Sequence, residues 1–137
     1  MQRLMACLVV WGMLVGASAP AAEPLDYDPT IVRLSGVIVI EAFYGPPGYG
    51  EDPESDEIVH AAILVLDEPV SVRGDPNELM NSESVGDIRR IHLANVGPDV
   101  SAKTWRHVVI EGTLFHSYTG HHRTPVLMWV ERLVSSP

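Results

Sequence analysis

Two distant segments of this sequence repeat one pattern of apolar residues interrupted by glycine. They are VRLSGVI at 32–38 and VVIEGTL at 108–114, and the glycines are Gly36 and Gly112. Apolar residues at every second position are typical of a β-strand with one buried face. A glycine inside such a strand indicates a bulge or a sharp bend, as in a strand that coils around a barrel. The repeat therefore predicts a small barrel with two strands bent in the same way, and a β-sandwich is the alternative.

The order of the predicted elements narrows the fold class further. A short helix that begins at Pro98 separates three strands from a final hairpin, and a polar loop spans 73–87. The predicted elements are strands at 31–44, 57–72 and 89–96, the helix at 98–105, and hairpin strands at 106–116 and 124–133. Three strands, a helix and two strands is the order of a five-stranded oligonucleotide- and oligosaccharide-binding (OB) barrel. We therefore predict an all-β fold with one short helix.

The first residues indicate export. MQRLMACLVVWGMLVGASAPA has one positive charge at Arg3, a short apolar run and small residues before Ala22. This composition is typical of a signal peptide, which we place at residues 1–21. We expect a mature chain of residues 22–137 that forms one domain, lies in the periplasm and has no membrane span. The only cysteine, Cys7, is lost with the signal peptide, so no disulfide is predicted.

The charge of the chain excludes one class of partner. The sequence has nine Lys and Arg against eighteen Asp and Glu, a formal net charge of −9. Nucleic acids and anionic lipids are bound through basic surfaces. We therefore expect a protein or a small ligand as the partner, and no nucleic acid.

Three histidines lie in the predicted final hairpin, GTLFHSYTGHHRTP at 112–125. If residues 117–120 form a four-residue loop, His116 and His121 face each other across it and His122 points to the opposite face. Two such imidazoles can bind Zn or Cu when a third ligand approaches, from His60, His92 or a carboxylate. The alternatives are that the rings stabilise the hairpin by hydrogen bonds, or that they contact a ligand.

A catalytic site is weakly indicated. Ser117, Thr113 and Thr119 lie near histidines, but none stands in a recognisable nucleophile motif. We assign no catalytic residue. A hydrolase that acts on envelope polymers remains a third hypothesis, and it requires a cleft that joins a histidine to a nucleophile or a carboxylate.

The segment 43–57, FYGPPGYGEDPESDE, is predicted to be an acidic loop between the first two strands. Its carboxylates do not have the spacing of an EF-hand, so a Ca²⁺ site is not favoured. This loop often borders the binding face of an OB fold, and its tyrosines offer flat apolar surfaces. The predicted ligand-binding residues are Tyr44, Tyr49, His116, Tyr118, His121 and His122.

Three motifs resemble those of an uncharacterised family of exported bacterial domains. They are FYGPPGY at 43–49, LVLDEP at 64–69 and, as the longest, GTLFHSYTGHHRTPVL at 112–127. Members of this family often have a third histidine where this chain has Arg123. The resemblance implies export in a Gram-negative bacterium and a shared architecture, and it implies no reaction. Our leading hypothesis is a non-enzymatic binding or interaction module, and the alternative is a periplasmic metal-binding protein.

Overall fold

The computed structural model of the protein describes residues 20–135. The predicted signal peptide lies outside the described residues, except for its last two positions. The described part contains six strands and one short helix: β1 Leu25–Asp26, β2 Ile31–Tyr44, β3 Ile58–Arg73, β4 Val85–Ala94, α1 Pro98–Ser101, β5 His107–His116 and β6 Val126–Ser135. The predicted all-β class with one short helix is confirmed.

The strand pairings close into a ring. Strand β2 pairs with β3, β3 with β4, β4 with β6, β6 with β5, and β5 returns to β2. This is the strand order of the predicted OB-like barrel, with the helix between the third and fourth strands of the ring. The ring is irregular, because β4 and β6 are joined in parallel only from His92 to Ala94. The unpredicted strand β1 adds a short parallel edge to the end of β3.

The two glycine-containing repeats pair with each other. In the antiparallel pair of β2 and β5, Val32 lies opposite Gly112 and Gly36 lies opposite Val108. A Cβ atom on Gly36 would lie 2.1 Å from the carbonyl oxygen of Val65, and one on Gly112 would lie 2.1 Å from that of Trp129. Glycine is required at both positions because the backbone of a neighbouring strand comes too close for any side chain.

The core fills the inside of the ring. Alternate positions of the ring strands supply it, as the period of two predicts. Its fully buried members include Ile38, Leu64, Ile91, Val108, Ile110, Leu114 and Met128, and Val100 of α1 packs against them. Apolar burial of this kind stabilises the fold by about 25 cal/mol per Å².

Two predicted boundaries differ from the structure by four residues, and the others by no more than two. Strand β4 begins at Val85, inside the segment 73–87 that was predicted as a loop, and this loop ends at Ser84. The helix ends at Ser101 and does not reach Trp105, which adopts a positive φ of 66° and donates its N–H to the Ile38 carbonyl at 2.7 Å. Within residues 20–135, no helical segment has the length and apolar character needed to span a membrane.

Candidate functional site

The segment 45–57, here called the β2–β3 loop, is organised around one buried carboxylate. Asp56 accepts hydrogen bonds from the backbone N–H groups of Gly48 at 2.6 Å and Gly50 at 2.7 Å, and a longer one from Asp52 at 3.4 Å. Burial acts to raise the pKa of Asp56, but these three N–H donors outweigh it and hold the pKa below its ordinary value. The loop is therefore held in one shape by a side chain of its own.

The segment 117–125, here called the β5–β6 loop, is longer than predicted. His116 pairs with Val126, and the Ser117 N–H donates to the Pro125 carbonyl at 2.9 Å, so nine residues separate the two strands. The predicted four-residue loop was wrong, and His121 does not lie opposite His116. The strands do not pair further because Thr124 is held elsewhere: its hydroxyl accepts the backbone N–H of His92 on β4 at 2.9 Å.

The β5–β6 loop is also anchored by two histidine rings. The Nδ1 atom of His92 accepts the backbone N–H of Arg123 at 3.2 Å, and that of His122 accepts the backbone N–H of Tyr118 at 3.1 Å. Burial lowers the pKa of both imidazoles. The pKa of His92 is lowered further by the charge of His122 and then by that of Arg123. The pKa of His122 is lowered further by the charge of His121. Both bonds require an unprotonated Nδ1, so the lowered pKa values and the geometry agree.

A row of paired residues lies beneath the β5–β6 loop. Val39 pairs with Ile63, Ile63 with His92, His92 with Leu127, and Leu127 with Phe115, so the row crosses five strands on one face. Ile63 and Leu127 are completely buried although neither belongs to the main core. We infer that the loop covers this row, because its anchors bind directly to His92.

The three predicted hairpin histidines are separated by this arrangement. His121 contacts Tyr49 of the β2–β3 loop, with its Nε2 atom 3.2 Å from the phenol oxygen. His122 packs edge-on against Tyr118 and Phe115. The Nδ1 atom of His116 donates to the Ser117 carbonyl at 2.9 Å, and its Nε2 atom lies 3.6 Å from Glu83. The predicted site residues thus form two groups, with His116 apart from both. The first group is Tyr44, Tyr49 and His121, and the second is Tyr118 and His122.

Tyr44 and Tyr49 of the first group line a groove where the two loops meet. This arginine groove is formed by Ala42, Phe43, Tyr44, Tyr49, Ile58 and Arg123, and its volume is about 480 Å³. The guanidinium of Arg123 lies over Phe43, 5.2 Å from the ring centre, and 5.8 Å from the Tyr49 ring centre. It also donates to the Tyr44 carbonyl at 3.0 Å. Ile58 is 56% exposed, so the groove presents apolar surface beside a cation.

A second groove on the outer face of β5 and β6 was missed by the sequence reasoning. This acidic groove is formed by Asp28, Thr113, Phe115, Tyr118, Trp129 and Glu131, with Asn81 at its edge, and its volume is about 530 Å³. The only predicted site residue in it is Tyr118. The outward position of Trp129, between the buried residues Met128 and Val130, is a signal of alternation that could have identified it.

Potential metal ligands do not cluster within residues 20–135, and one histidine–carboxylate pair lies away from the grooves. Within 20–135, no three His, Asp or Glu side chains are close enough together to hold a metal ion. His107 and Asp67 lie 2.7 Å apart, but both are exposed and neither lines any of the grooves described above. The hydrogen bond from His107, and then one from Ser35, hold the pKa of Asp67 below its ordinary value. Because the carboxylate lies between the serine and the histidine, the histidine cannot act as a base toward that hydroxyl.

Comparisons with known proteins agree with part of the predicted resemblance. Residues 90–133 match the family model described as a domain of unknown function, DUF4431. The match begins in β4, includes the whole β5–β6 loop and ends in β6. It supports a resemblance to an uncharacterised family, whose description names no function. No curated protein and no solved structure matches the chain.

Proposed function

We propose that the mature protein is a non-enzymatic binding module of the bacterial periplasm, with the arginine groove as its ligand surface. The observation that carries this proposal is the contact between the β2–β3 and β5–β6 loops through Tyr49, His121 and Arg123. In OB folds the corresponding loops border the face that binds oligosaccharides and oligonucleotides. The acidic net charge disfavours a nucleic acid, and the signal-like first residues favour an envelope ligand.

The two loops are each held in place by hydrogen bonds within the protein. Asp56 fixes the β2–β3 loop, and His92 and Thr124 fix the β5–β6 loop to strand β4. A surface that is already ordered loses little conformational entropy when it binds. This favours a role in recognition.

The chemistry of the groove suits a saccharide that carries an acidic group. Exposed aromatic rings such as Tyr44 and Tyr49 can stack on the apolar face of a sugar, and an arginine can donate paired hydrogen bonds to a carboxylate. One nitrogen of Arg123 is used by the Tyr44 carbonyl, and its other donors remain for a ligand.

The test is an NMR titration of ¹⁵N-labelled mature protein with a muropeptide, which carries carboxylates, and with neutral chitotriose. We expect the muropeptide to shift the amide signals of both loops and to bind more tightly than chitotriose. Arg123→Ala should weaken muropeptide binding by roughly fivefold, since a partly exposed cation contributes about 1 kcal/mol. Arg106→Ala, which removes an exposed arginine outside the groove, is the matched control.

Three results would contradict the proposal. They are the absence of shifts in the two loops with both probes, shifts that fall only elsewhere on the surface, and cleavage of the muropeptide detected by mass spectrometry. The last result would replace the binding module with an enzyme.

A further inference from the structure

The acidic groove differs from the arginine groove in the charge of its lining. Asp28 and Glu131 supply two carboxylates, and no Lys, Arg or His lines it. Two aromatic side chains stand at its surface, since Trp129 is 50% exposed and Tyr118 is 61% exposed. Exposed aromatic faces next to carboxylates are a favourable environment for an organic cation.

Strand alternation brings one of the carboxylates into the groove. Trp129 and Glu131 are two positions apart in β6, on either side of the buried Val130, so both side chains lie on the outer face. Both therefore line the same groove. Gly112 pairs with Val130 and Glu111 pairs with Arg132, so Glu131 is also the extra residue of a β-bulge and has no partner on β5.

Trp129 itself is held by the close approach of the two strands. Its carbonyl oxygen lies 2.1 Å from the position that a Cβ atom of residue 112 would take, so only glycine fits there. Thr113, the neighbour of Gly112, pairs with Trp129 across the strands. Trp129 therefore rests on paired strands, whereas Tyr118 belongs to the β5–β6 loop.

The floor of the groove contains a polar group without a structural partner. Within residues 20–135, the buried polar or charged side chains are those of Asp56 and Thr113, each 9% exposed. Asp56 is satisfied by three backbone donors. Thr113 lines the groove, and its hydroxyl makes no hydrogen bond to another residue in 20–135. Because every fully enclosed side-chain N or O atom in 20–135 has a partner, this hydroxyl is open to the groove. It is therefore able to accept a hydrogen bond from a bound donor.

We infer that the acidic groove is a second binding site, which takes the ammonium group of a lysine in an extended segment of a partner protein. The ammonium group offers three donors and no acceptor, which matches two carboxylates and a hydroxyl. Its aliphatic stem can pack on the exposed rings of Trp129 and Tyr118 while the charge lies over a ring face. The net charge of −9 attracts basic partners at long range.

Pentalysine, acetylated and amidated, is the probe for this site, and pentaglutamine is its neutral control. Trp105→Phe leaves Trp129 as the only tryptophan of residues 22–137, so quenching of its fluorescence reports binding at the groove. We expect pentalysine to quench Trp129, with an affinity that falls as salt is added, and we expect no quenching by pentaglutamine.

Calorimetry on variants separates this site from general charge attraction. Trp129→Leu, which keeps apolar volume, and Glu131→Gln should each weaken pentalysine binding by roughly three- to tenfold. Glu54→Gln, which removes the same charge from the β2–β3 loop, should leave the affinity unchanged. All three side chains are exposed, and circular dichroism will verify that the variants are folded.

Two results would overturn the inference. Equal weakening by Glu54→Gln and Glu131→Gln would show that pentalysine responds only to the net charge. Quenching of Trp129 by chitotriose but not by pentalysine would make the groove a sugar platform. Either result leaves the muropeptide titration of the arginine groove unaffected, so the two proposals fail separately.

Discussion

The arginine groove and the acidic groove are alike in size and in their exposed aromatic rings, but they differ in charge and in the structure that supports them. The first has a guanidinium and lies where two loops meet, whereas the second has two carboxylates and combines the paired strands β5 and β6 with the loop residues Asp28 and Tyr118. The β5–β6 loop contributes to both, with Arg123 on one side and Tyr118 on the other. The adjacent residues His121 and His122 follow the same division. One motif thus separates two surfaces, and its histidines do not form a single site.

The bonds that hold the loops and those that hold the strands differ in their sensitivity to pH. The loops of the arginine groove are held by Asp56 and His92, whose bonds depend on their protonation, and His122 holds the backbone of Tyr118 at the acidic groove in the same way. The strands β5 and β6 are held by backbone pairing, and they approach closely because Gly112 has no side chain. We therefore expect acid to loosen the loops before the strands.

The largest effect is expected from Gly112→Ala. The new Cβ would lie 2.1 Å from a backbone oxygen, so β5 and β6 must separate and the acidic groove must change shape. We expect a loss of about 3 kcal/mol in the free energy of unfolding, measured in urea.

The matched control for this change is Gly86→Ala in β4. The nearest atom to a Cβ there is the Ser71 hydroxyl at 3.8 Å, an ordinary contact. Stability should remain within about 1 kcal/mol of the parent protein. If Gly112→Ala were as stable as this control, the acidic groove would not depend on the close approach of the two strands.

The next largest effect is expected from Asp56→Asn. An amide accepts less strongly than a carboxylate, so the N–H groups of Gly48 and Gly50 should lose protection against hydrogen exchange. Protection in β5 and β6 should remain unchanged. Because the folded-state pKa of Asp56 is lowered, its stabilising effect is complete above the ordinary value of about 3.9 and is lost as the pH falls through the folded value. Asp56→Asn should abolish this dependence.

A smaller effect is expected when the pH falls from 7 to 5. The pKa values of His92 and His122 are lowered in the folded state, so their contribution is complete above about 6.5 and is lost on acidification. Protonation of Nδ1 removes the acceptors for two backbone N–H groups of the β5–β6 loop. After correction for the slower intrinsic exchange at acid pH, the protection of amides in residues 117–125 should therefore fall, and that of amides in β5 should not.

His92→Gln is the variant that tests this assignment, and His60→Gln is the control. The first should reduce the pH dependence of the loop, and the second should preserve it. An unchanged profile in His92→Gln would mean that the loop is not held through that ring.

The smallest effect is expected from Zn²⁺ and Cu²⁺. His116 and His121 contact different partners, so we expect calorimetry of the tag-free mature protein to give dissociation constants no better than roughly millimolar, the range of a weak site. Micromolar binding that is lost in both His116→Ala and His121→Ala would show that the two rings converge. That result would remove the division between the grooves.

The sequence predicted the strands better than it predicted the loop and the bulge that shape the grooves. The alternation of apolar and polar residues predicted β2 at residues 31–44, because the polarity of each residue indicates whether its side chain faces the core or the solvent. The length of the β5–β6 loop was not predictable in this way, since it depends on a bond between Thr124 and a strand thirty-two positions earlier. The bulge at Glu131 is also invisible in the pattern, because an inserted residue is recognised only against its partner strand.

The closed ring has a consequence for how the chain acquires its structure. The pair that joins β2 to β5 includes Arg33 and Glu111, which are 78 positions apart and bind each other through their side chains. Such a pair cannot form until most of the chain has been synthesised, and the entropy of closing so long a loop opposes it. Small barrels dominated by non-local pairing fold in roughly milliseconds to seconds, far more slowly than helical bundles of equal length. A newly made chain therefore remains unfolded long after its first strands have emerged from the ribosome.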